Sequence, residues 1–350
     1  MASVLRFKAP EQAFRFYPDA RAAGALAEKR LIASAKSGAQ PGIRALAQQS
    51  LQRDPLVARS ARVLAMLNAL EGRSAAADRL IGYSAWLTRR DLGTNLYKIE
   101  RAVDRNNVAD ALRTFDIVLR TDRAGYALLF PILTNAMIDP ELFGAIRGLL
   151  DEDPPWLRAF VDFATQAPTS IVPLSRVLRN MPKSAALDLG AHSAVSARLV
   201  KDGQYSEAAQ YVQAIQGFSP TGNLVRAPRF ADPAPIQPFA WSFSEDADAS
   251  AGEDRAANGA VRGITFSVNE TKSGWLASQL LAAPAGNYRF SSIGATIGAN
   301  RPTAAYWEFL CLPRERQIAR IDLPHGEPKK RADGSVQIPA DCLGQLLRLR

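Results

Sequence analysis

Few residues in this chain are of a type that could do chemistry alone, and their spacing argues against it. Only two histidines occur. His192 falls in an expected helix and His325 in a Pro/Gly loop. Neither has a carboxylate or cysteine at ligand spacing, so no metal site is expected. Cys311 and Cys342 are the two cysteines, and no CxxC pattern makes them a zinc or redox pair. In an oxidising compartment they could form a disulfide across the last domain. In a reducing one they are two small buried hydrophobes. Asp151-Glu152-Asp153 could supply a carboxylate pair for acid/base work, but ahead of Pro154-Pro155 it reads more simply as a solvated helix end. There is no nucleophile elbow, no phosphate-cradling glycine loop and no dinucleotide fingerprint. The chain is expected to bind rather than to catalyse, with no cofactor.

Binding chemistry is offered by aromatic residues in the last third. Sugar rings stack on Trp and Tyr while polar neighbours hold their hydroxyls. Trp275, Tyr306, Arg289 and Glu308 form the candidate glycan site on this ground. Trp241 and Trp307 lie in apolar runs and read as core. Tyr306 points away from Trp307 in an ideal strand. Trp275 follows Ser273-Gly274 at a strand start and is the expected exposed platform. Lys329-Lys330-Arg331 could touch a phosphate or an acidic sugar, or simply guard a hairpin tip against edge pairing. Nucleic-acid binding is not expected, because no basic stripe is interleaved with aromatics.

The elements that must carry these residues announce themselves by a repeat. Gly72 is followed five residues later by Ala77, Asn106 by Ala111 and Gly203 by Ala208. Gly72 and Asn106 are 34 apart, the period of tetratricopeptide helix pairs. The turn residue reverses the chain and the small Ala lets the second helix close on the first. About twelve helices are expected between 20 and 216, including 92–104, 108–119 and 205–216, with Ser74 as a helix cap. Pro131 should kink or split a helix over 124–137. The first helix of each pair would line a concave face, where Arg62, Asn68, Asn95, Lys98 and Arg101 are the candidate protein-binding residues.

Composition shifts at Gly217. Residues 217–238 hold five prolines, so an arm or linker is expected there. Its Leu224, Val225 and Phe230 are too apolar for a free tether. Beyond it the apolar period becomes two. Eight strands are expected, at 239–243, 261–268, 275–282, 287–293, 304–312, 317–323, 335–338 and 343–349, and a polar loop over 245–259. The expected fold is multidomain α and β: a TPR-like α-solenoid over 1–218, a proline-rich arm over 219–235 and an antiparallel, jelly-roll-like β-sandwich over 236–350.

At 350 residues and 47% hydrophobic content the chain can bury real cores. Its net charge of +9 sits mostly in the helical half, with 28 Lys/Arg against 21 Asp/Glu in residues 1–218. A basic surface favours acidic partners, or merely keeps a solenoid solvated. No run reaches the roughly 18 apolar residues a membrane span needs, and no signal peptide is evident. The expected compartment is cytoplasmic, or periplasmic and envelope-associated if an anchor precedes this sequence.

Several strings resemble a bacterial family that joins tetratricopeptide-like repeats to a C-terminal β-sandwich. They are Pro238-Phe239-Ala240-Trp241, Pro284-Ala285-Gly286-Asn287-Tyr288-Arg289, Trp307-Glu308-Phe309-Leu310-Cys311 and the ending from Ile338 to Leu349. Asp54-Pro55-Leu56, Arg89-Arg90-Asp91 and Asp153-Pro154-Pro155-Trp156 are similar to it as well. The resemblance implies an association with envelope or exopolysaccharide production. The leading expectation is a non-catalytic adaptor in polysaccharide assembly or export, its solenoid holding a protein and its sandwich a polysaccharide. The alternative is a purely structural assembly protein whose sandwich caps the solenoid, which requires Trp241, Trp275 and Trp307 all to be buried. An enzyme would need a pocket with convergent polar groups.

Overall fold

The computed structural model describes residues 8–37, 42–217, 223–269, 274–294, 305–325 and 330–350. Ser273, Lys329 and residues 219–222 of the arm lie outside the described residues. The chain is mixed α and β: among the described residues, thirteen helices are followed by nine strands, every pairing antiparallel. It divides into two compact units, Met1–Trp156 and Leu157–Arg350. The division falls within the helical part rather than at the arm, so four helices share the second unit with all the strands.

The first unit contains α1 (Pro10–Phe16), α2 (Ala20–Ser37), α3 (Ile43–Arg53), α4 (Ala58–Leu70), α5 (Ser74–Leu87), α6 (Leu92–Asp104), α7 (Val108–Thr121), α8 (Ala124–Ala136) and α9 (Pro140–Asp151). The second begins with α10 (Leu157–Ala164), α11 (Val172–Leu178), α12 (Leu189–Lys201) and α13 (Tyr205–Gln216). Three helix pairs turn in the same way. Gly72, Asn106 and Gly203 sit in left-handed backbone at φ 75°, 53° and 75°. In each turn the next amide reaches back to a carbonyl five residues earlier: Arg73 to Asn68, Asn107 to Ala102 and Gln204 to Leu199, all at 2.8 Å. This satisfies carbonyls that a helix end would otherwise leave bare. Ala77, Ala111 and Ala208 are buried beneath the turns. A second echo at the same interval is polar. Ser60 Oγ donates to Ser50 Oγ at 2.7 Å, and Ser84 and Thr94, both 34 residues further on, sit 2.7 Å apart.

One local expectation is corrected and one is narrowed. Ser74 is the first residue of α5 rather than its cap, and the N-cap Arg73 makes no side-chain cap bond. α8 runs through Pro131 without splitting. The carbonyl that Pro131 leaves without its donor belongs to Ala127, an exposed residue where water can serve instead.

The strands are β1 (Ser242–Phe243), β2 (Ala249–Arg255), β3 (Val261–Val268), β4 (Ala277–Leu281), β5 (Gly286–Ile293), β6 (Tyr306–Cys311), β7 (Arg316–Asp322), β8 (Arg331–Ile338) and β9 (Gln345–Leu349). Five form a sheet in the order β1-β4-β9-β6-β7, while β2-β3 and β5-β8 are two-stranded. One row of the large sheet runs Phe243, Ala277, Leu349, Trp307, Ile321. Facing cross-strand neighbours point the same way, and this row enters the core. Phe290 of β5 meets Trp307 and Phe309 edge-on at 5.7 and 5.2 Å. Gly334 of β8 lies so close to Ile321 that a Cβ there would fall 2.4 Å from its Cγ1.

The region 245–259 is not a loop throughout. Its Ala249–Arg255 stretch is β2, paired along its length with β3. Asn258-Gly259, with Gly259 at φ 82°, closes the hairpin. The sequence ASAGEDR is too polar to show the apolar alternation of a half-buried strand, so its partner, not its own pattern, makes it one. Cys311 and Cys342 form a disulfide across 31 residues, their Cα atoms 5.5 Å apart.

Helices and strands pack within the second unit. Tyr205, at the start of α13, lies against Gly344, where a Cβ would sit 2.5 Å from its ring. Ser193 Oγ of α12 accepts from the Gln237 amide at 3.1 Å.

Candidate functional site

The arm expected over 219–235 is not a tether where it is described. Buried Gln279 of β4 receives the Arg226 amide on its Oε1 at 3.0 Å and donates back to the Arg226 carbonyl at 2.9 Å. Arg226 pairs with Asp232 at 2.8 Å. Trp241 Nε1 donates to the Ala227 carbonyl at 3.0 Å. The arm is thereby laid along the β region with Phe230 4.8 Å from the Trp241 ring. Ala227 and Phe230 hold φ 44° and 65°, backbone that a side chain occupies only when its surroundings compensate.

Between this arm and the strands lies a cavity of about 650 Å³, within the range of small-molecule sites. Its walls are mainly apolar: Phe230, Trp241, Phe266, Phe290, Trp307 and Phe309 supply the rings. Two polar atoms of its lining residues, Trp307 Nε1 and Ser292 Oγ, are buried without a partner among the described residues. The Trp307 side chain is the more telling, since the residue is only 5% exposed and an unmatched buried donor is costly. Three arginines also line the cavity, Arg229, Arg262 and Arg289, against one carboxylate, Asp254. Asp254 pairs with Arg262 at 3.0 Å. Arg289 reaches Asp333 only at 3.7 Å, with its side chain 75% exposed.

Of the four residues expected to hold a glycan, Arg289 alone lines this cavity. Trp275 is exposed at 39% but outside it. The Tyr306 ring is covered by the Arg320 guanidinium at 3.7 Å. Glu308 is buried, with Arg348 and Arg350 at 3.5 and 3.8 Å. A ring already capped by a cation and a carboxylate enclosed by two arginines are not offered to sugar. Trp241 and Trp307 are buried and 5.8 Å apart, while the exposure of Trp275 departs from what the capping alternative requires.

The helical candidates divide as well. Arg62, Asn68 and Asn95 are buried and saturated from within, so they do not form an open face. Arg62 joins three helical pairs, its Nε donating to Asp91 Oδ1 at 2.6 Å and its Nη2 to Glu28 at 2.5 Å. Asn68 donates to the Leu64 carbonyl and accepts from Arg73, both at 2.8 Å. Asn95 donates to the Arg89 carbonyl at 2.9 Å. Lys98 and Arg101, in contrast, line a small surface cavity of about 190 Å³ with Asp78, Tyr97 and Arg105. Arg105 and Arg101 reach Asp78 at 2.7 and 3.3 Å. Burial pushes the Asp78 carboxyl up, but bonds from Arg101 and Arg105 outweigh it and leave its pKa lowered. Burial, helped by Asp78, raises the Tyr97 phenol.

His192 is buried, its Nδ1 2.7 Å from the Tyr211 hydroxyl. Burial lowers its pKa, opposed by Asp188, so its chemistry is that of a neutral core hydrogen bond. His325 is exposed. Asp151 ends α9 and pairs with Arg147 at 3.4 Å. Among the described residues no three His, Cys, Asp or Glu side chains come together as a metal cluster, and no helix is long and apolar enough to cross a membrane.

Sequence reasoning assigned Trp307 to the core and missed the space beside it. It also passed over Arg105 and Gln279. The available signal was the arm itself, where Leu224, Val225 and Phe230 are too apolar to be idle. Compared with protein-family models, curated proteins and solved structures, the chain finds no match.

Proposed function

We propose that this chain is a non-catalytic adaptor with two binding regions. The helix pairs of the first unit are read as a TPR-like α-solenoid that holds a protein partner. The antiparallel sheets are read as a sandwich, jelly-roll-like, that encloses a ligand between its layers. The observation that carries this reading is the aromatic-walled cavity with the unpartnered Trp307 N–H. It offers room, apolar surface and two buried polar atoms without a partner among the described residues, and the one carboxylate of its lining, Asp254, is paired with Arg262. The recurring turns at Gly72, Asn106 and Gly203 support the solenoid half.

On the helical unit the surface that fits a partner is the cavity lined by Lys98, Arg101 and Arg105. Cationic donors there suit a carboxylate or acidic side chain from a partner. A photo-crosslinking residue placed at position 98 in the native cell tests this. One defined partner should be captured, and Arg105→Glu should abolish its capture, with circular dichroism showing that the helices stay folded although the pair with Asp78 is lost. Capture unaffected by Arg105→Glu, or none at all, would refute the surface.

A second reading keeps the polysaccharide role for the β region. It is favoured by the exposure of Trp275, a stacking platform independent of the cavity. The disulfide suits an oxidising compartment such as the periplasm. Binding of envelope polysaccharide by the full chain, lost in Trp275→Ala, is the outcome this reading requires.

A further inference from the structure

We infer that the cavity of the second unit binds an anionic acyl amphiphile, with its chain in the aromatic interior and its headgroup at the arginines. This rests on the reading of that cavity as a ligand site and names what the site takes.

Four observations converge. The interior is apolar and aromatic, so it favours hydrocarbon over a polar solute. Trp307 lines it with an N–H that is buried and has no partner among the described residues, and an indole N–H can only donate. An acceptor within the apolar part of an occupant, as the carbonyl of an acyl ester or amide supplies, is the kind of group such a donor pairs with. Ser292 Oγ, of another lining residue, is likewise buried and without a partner among the described residues. Finally, three guanidinium groups line the cavity against one carboxylate, Asp254, with Asp333 3.7 Å from Arg289 as a further acidic neighbour. Arg289 and Arg262 have largely exposed side chains, 75% and 63%, and Arg229 is exposed. The positive charge thus stands where the cavity meets solvent, positioned for an anionic head rather than for the chain.

The sugar and protein alternatives fit less well. A glycan would set its hydroxyls against the aliphatic part of the wall, where Leu281, Leu347 and Leu349 offer no hydrogen bond. A peptide would bring backbone amides that this wall could not satisfy.

The test uses the full chain and three probes below their micellar concentrations: palmitate, a C16 lysophospholipid with a phosphoglycerol head, and a neutral C16 monoacylglycerol. Calorimetry gives affinity, and tryptophan fluorescence reports on Trp241 and Trp307. The lysophospholipid should bind saturably at one per chain and change the tryptophan emission. Palmitate, which has charge but no internal acyl carbonyl, and the neutral ester, which has the carbonyl but no charge, should each bind more weakly. The exposed double variant Arg229→Glu/Arg289→Glu should weaken the lysophospholipid by about tenfold and spare the neutral ester. Ala283→Phe, which fills the cavity from a buried wall position, should abolish binding of all three. If Ala283→Phe does not fold, the rim variant decides. Binding of the neutral ester as tight as that of the lysophospholipid, insensitive to the rim variant, would overturn the headgroup assignment while leaving the ligand site standing. Absence of saturable binding by every probe to the folded chain would overturn the acyl assignment. If a polar ligand then bound and was lost in Ala283→Phe, the cavity would remain a site for another chemistry.

Discussion

Arg62 Nε lies 2.6 Å from Asp91 Oδ1, across the 29 residues that separate α4 from the cap of α6. Asp91 does three things at once. Its Oδ1 also accepts from the Thr94 amide at 2.8 Å and from the Thr94 hydroxyl at 2.7 Å, so it caps α6 while it holds Arg62. The guanidinium in turn lies over Gly93, where a Cβ would be 2.8 Å from Arg62 Cζ. The far end of Arg62 reaches Glu28 of α2, so one side chain bolts three successive helical layers. Truncating one partner of a buried pair strands the other charge. Arg62→Ala should therefore cost about 3–5 kcal/mol, measured by urea unfolding, and Gly93→Ala should destabilise by pushing the guanidinium aside. Loss of less than about 0.5 kcal/mol, the scale of an ordinary surface change, would show that Arg62 does not bind the layers.

The same cluster sets an acid limit. Burial raises the Asp91 carboxyl, but the Arg62 charge and the bonds from Thr94 and Arg62 bring its pKa below 3.8. A lowered carboxylate pKa stabilises the fold above 3.8, and that stability is lost as pH falls through the folded value. Asp91→Asn should flatten the pH dependence of stability below pH 4.

His192 acts in a different window. Its pKa is lowered below 6.5 by burial, so the unfolded chain takes up its proton first as pH falls. Stability is complete above 6.5 and declines as pH drops from there through the lowered folded value. Unfolding midpoints measured from pH 7.5 down to pH 5 should fall in the native sequence. They should fall less in His192→Gln, which can still reach Tyr211. Equal slopes in the two proteins would remove His192 as the origin.

Gly344 meets Tyr205 with no room for a methyl group, a Cβ there falling 2.5 Å from the ring. Overpacking of this kind costs about 1–3 kcal/mol. Gly344→Ala should lower the thermal midpoint, and Tyr205→Leu should restore part of the loss in the double variant. Additive effects would mean that the helix and the strand region do not share this contact.

At the repeated turns, Gly203→Ala places a side chain in left-handed backbone and should cost about 1–2 kcal/mol. Asn106→Gly, at the equivalent position, should leave stability unchanged or raise it. Guanidinium unfolding of the two variants checks both signs.

These contacts also show what a single sequence can disclose. The turns at Gly72, Asn106 and Gly203 were legible because left-handed backbone selects Gly and Asn locally, and the small Ala five residues on marks close approach. The whole of α6, Leu92–Asp104, was legible for the same local reasons. The burial of Arg62 was not, because the groups that make it affordable, Glu28 and Asp91, are 34 and 29 residues away. β2 was hidden by its polar composition, although Asn258-Gly259 marked its hairpin. The aromatic content of the β region was visible from Trp241 and Trp307. Whether such rings fill their core or leave space beside them depends on strand register and on the path of the arm, which no periodicity encodes. The four residues expected to hold a glycan do not come together for a related reason: Glu308 lies opposite Arg348 of the neighbouring strand, 3.5 Å away.

The most direct test of a ligand-binding second unit is native mass spectrometry of the full chain, purified without detergent from its own cells. A population heavier than the 37.9 kDa chain by the mass of one amphiphile is expected, and Ala283→Phe should remove it. The bare chain mass in every preparation, with no uptake of added lysophospholipid, would contradict the assignment.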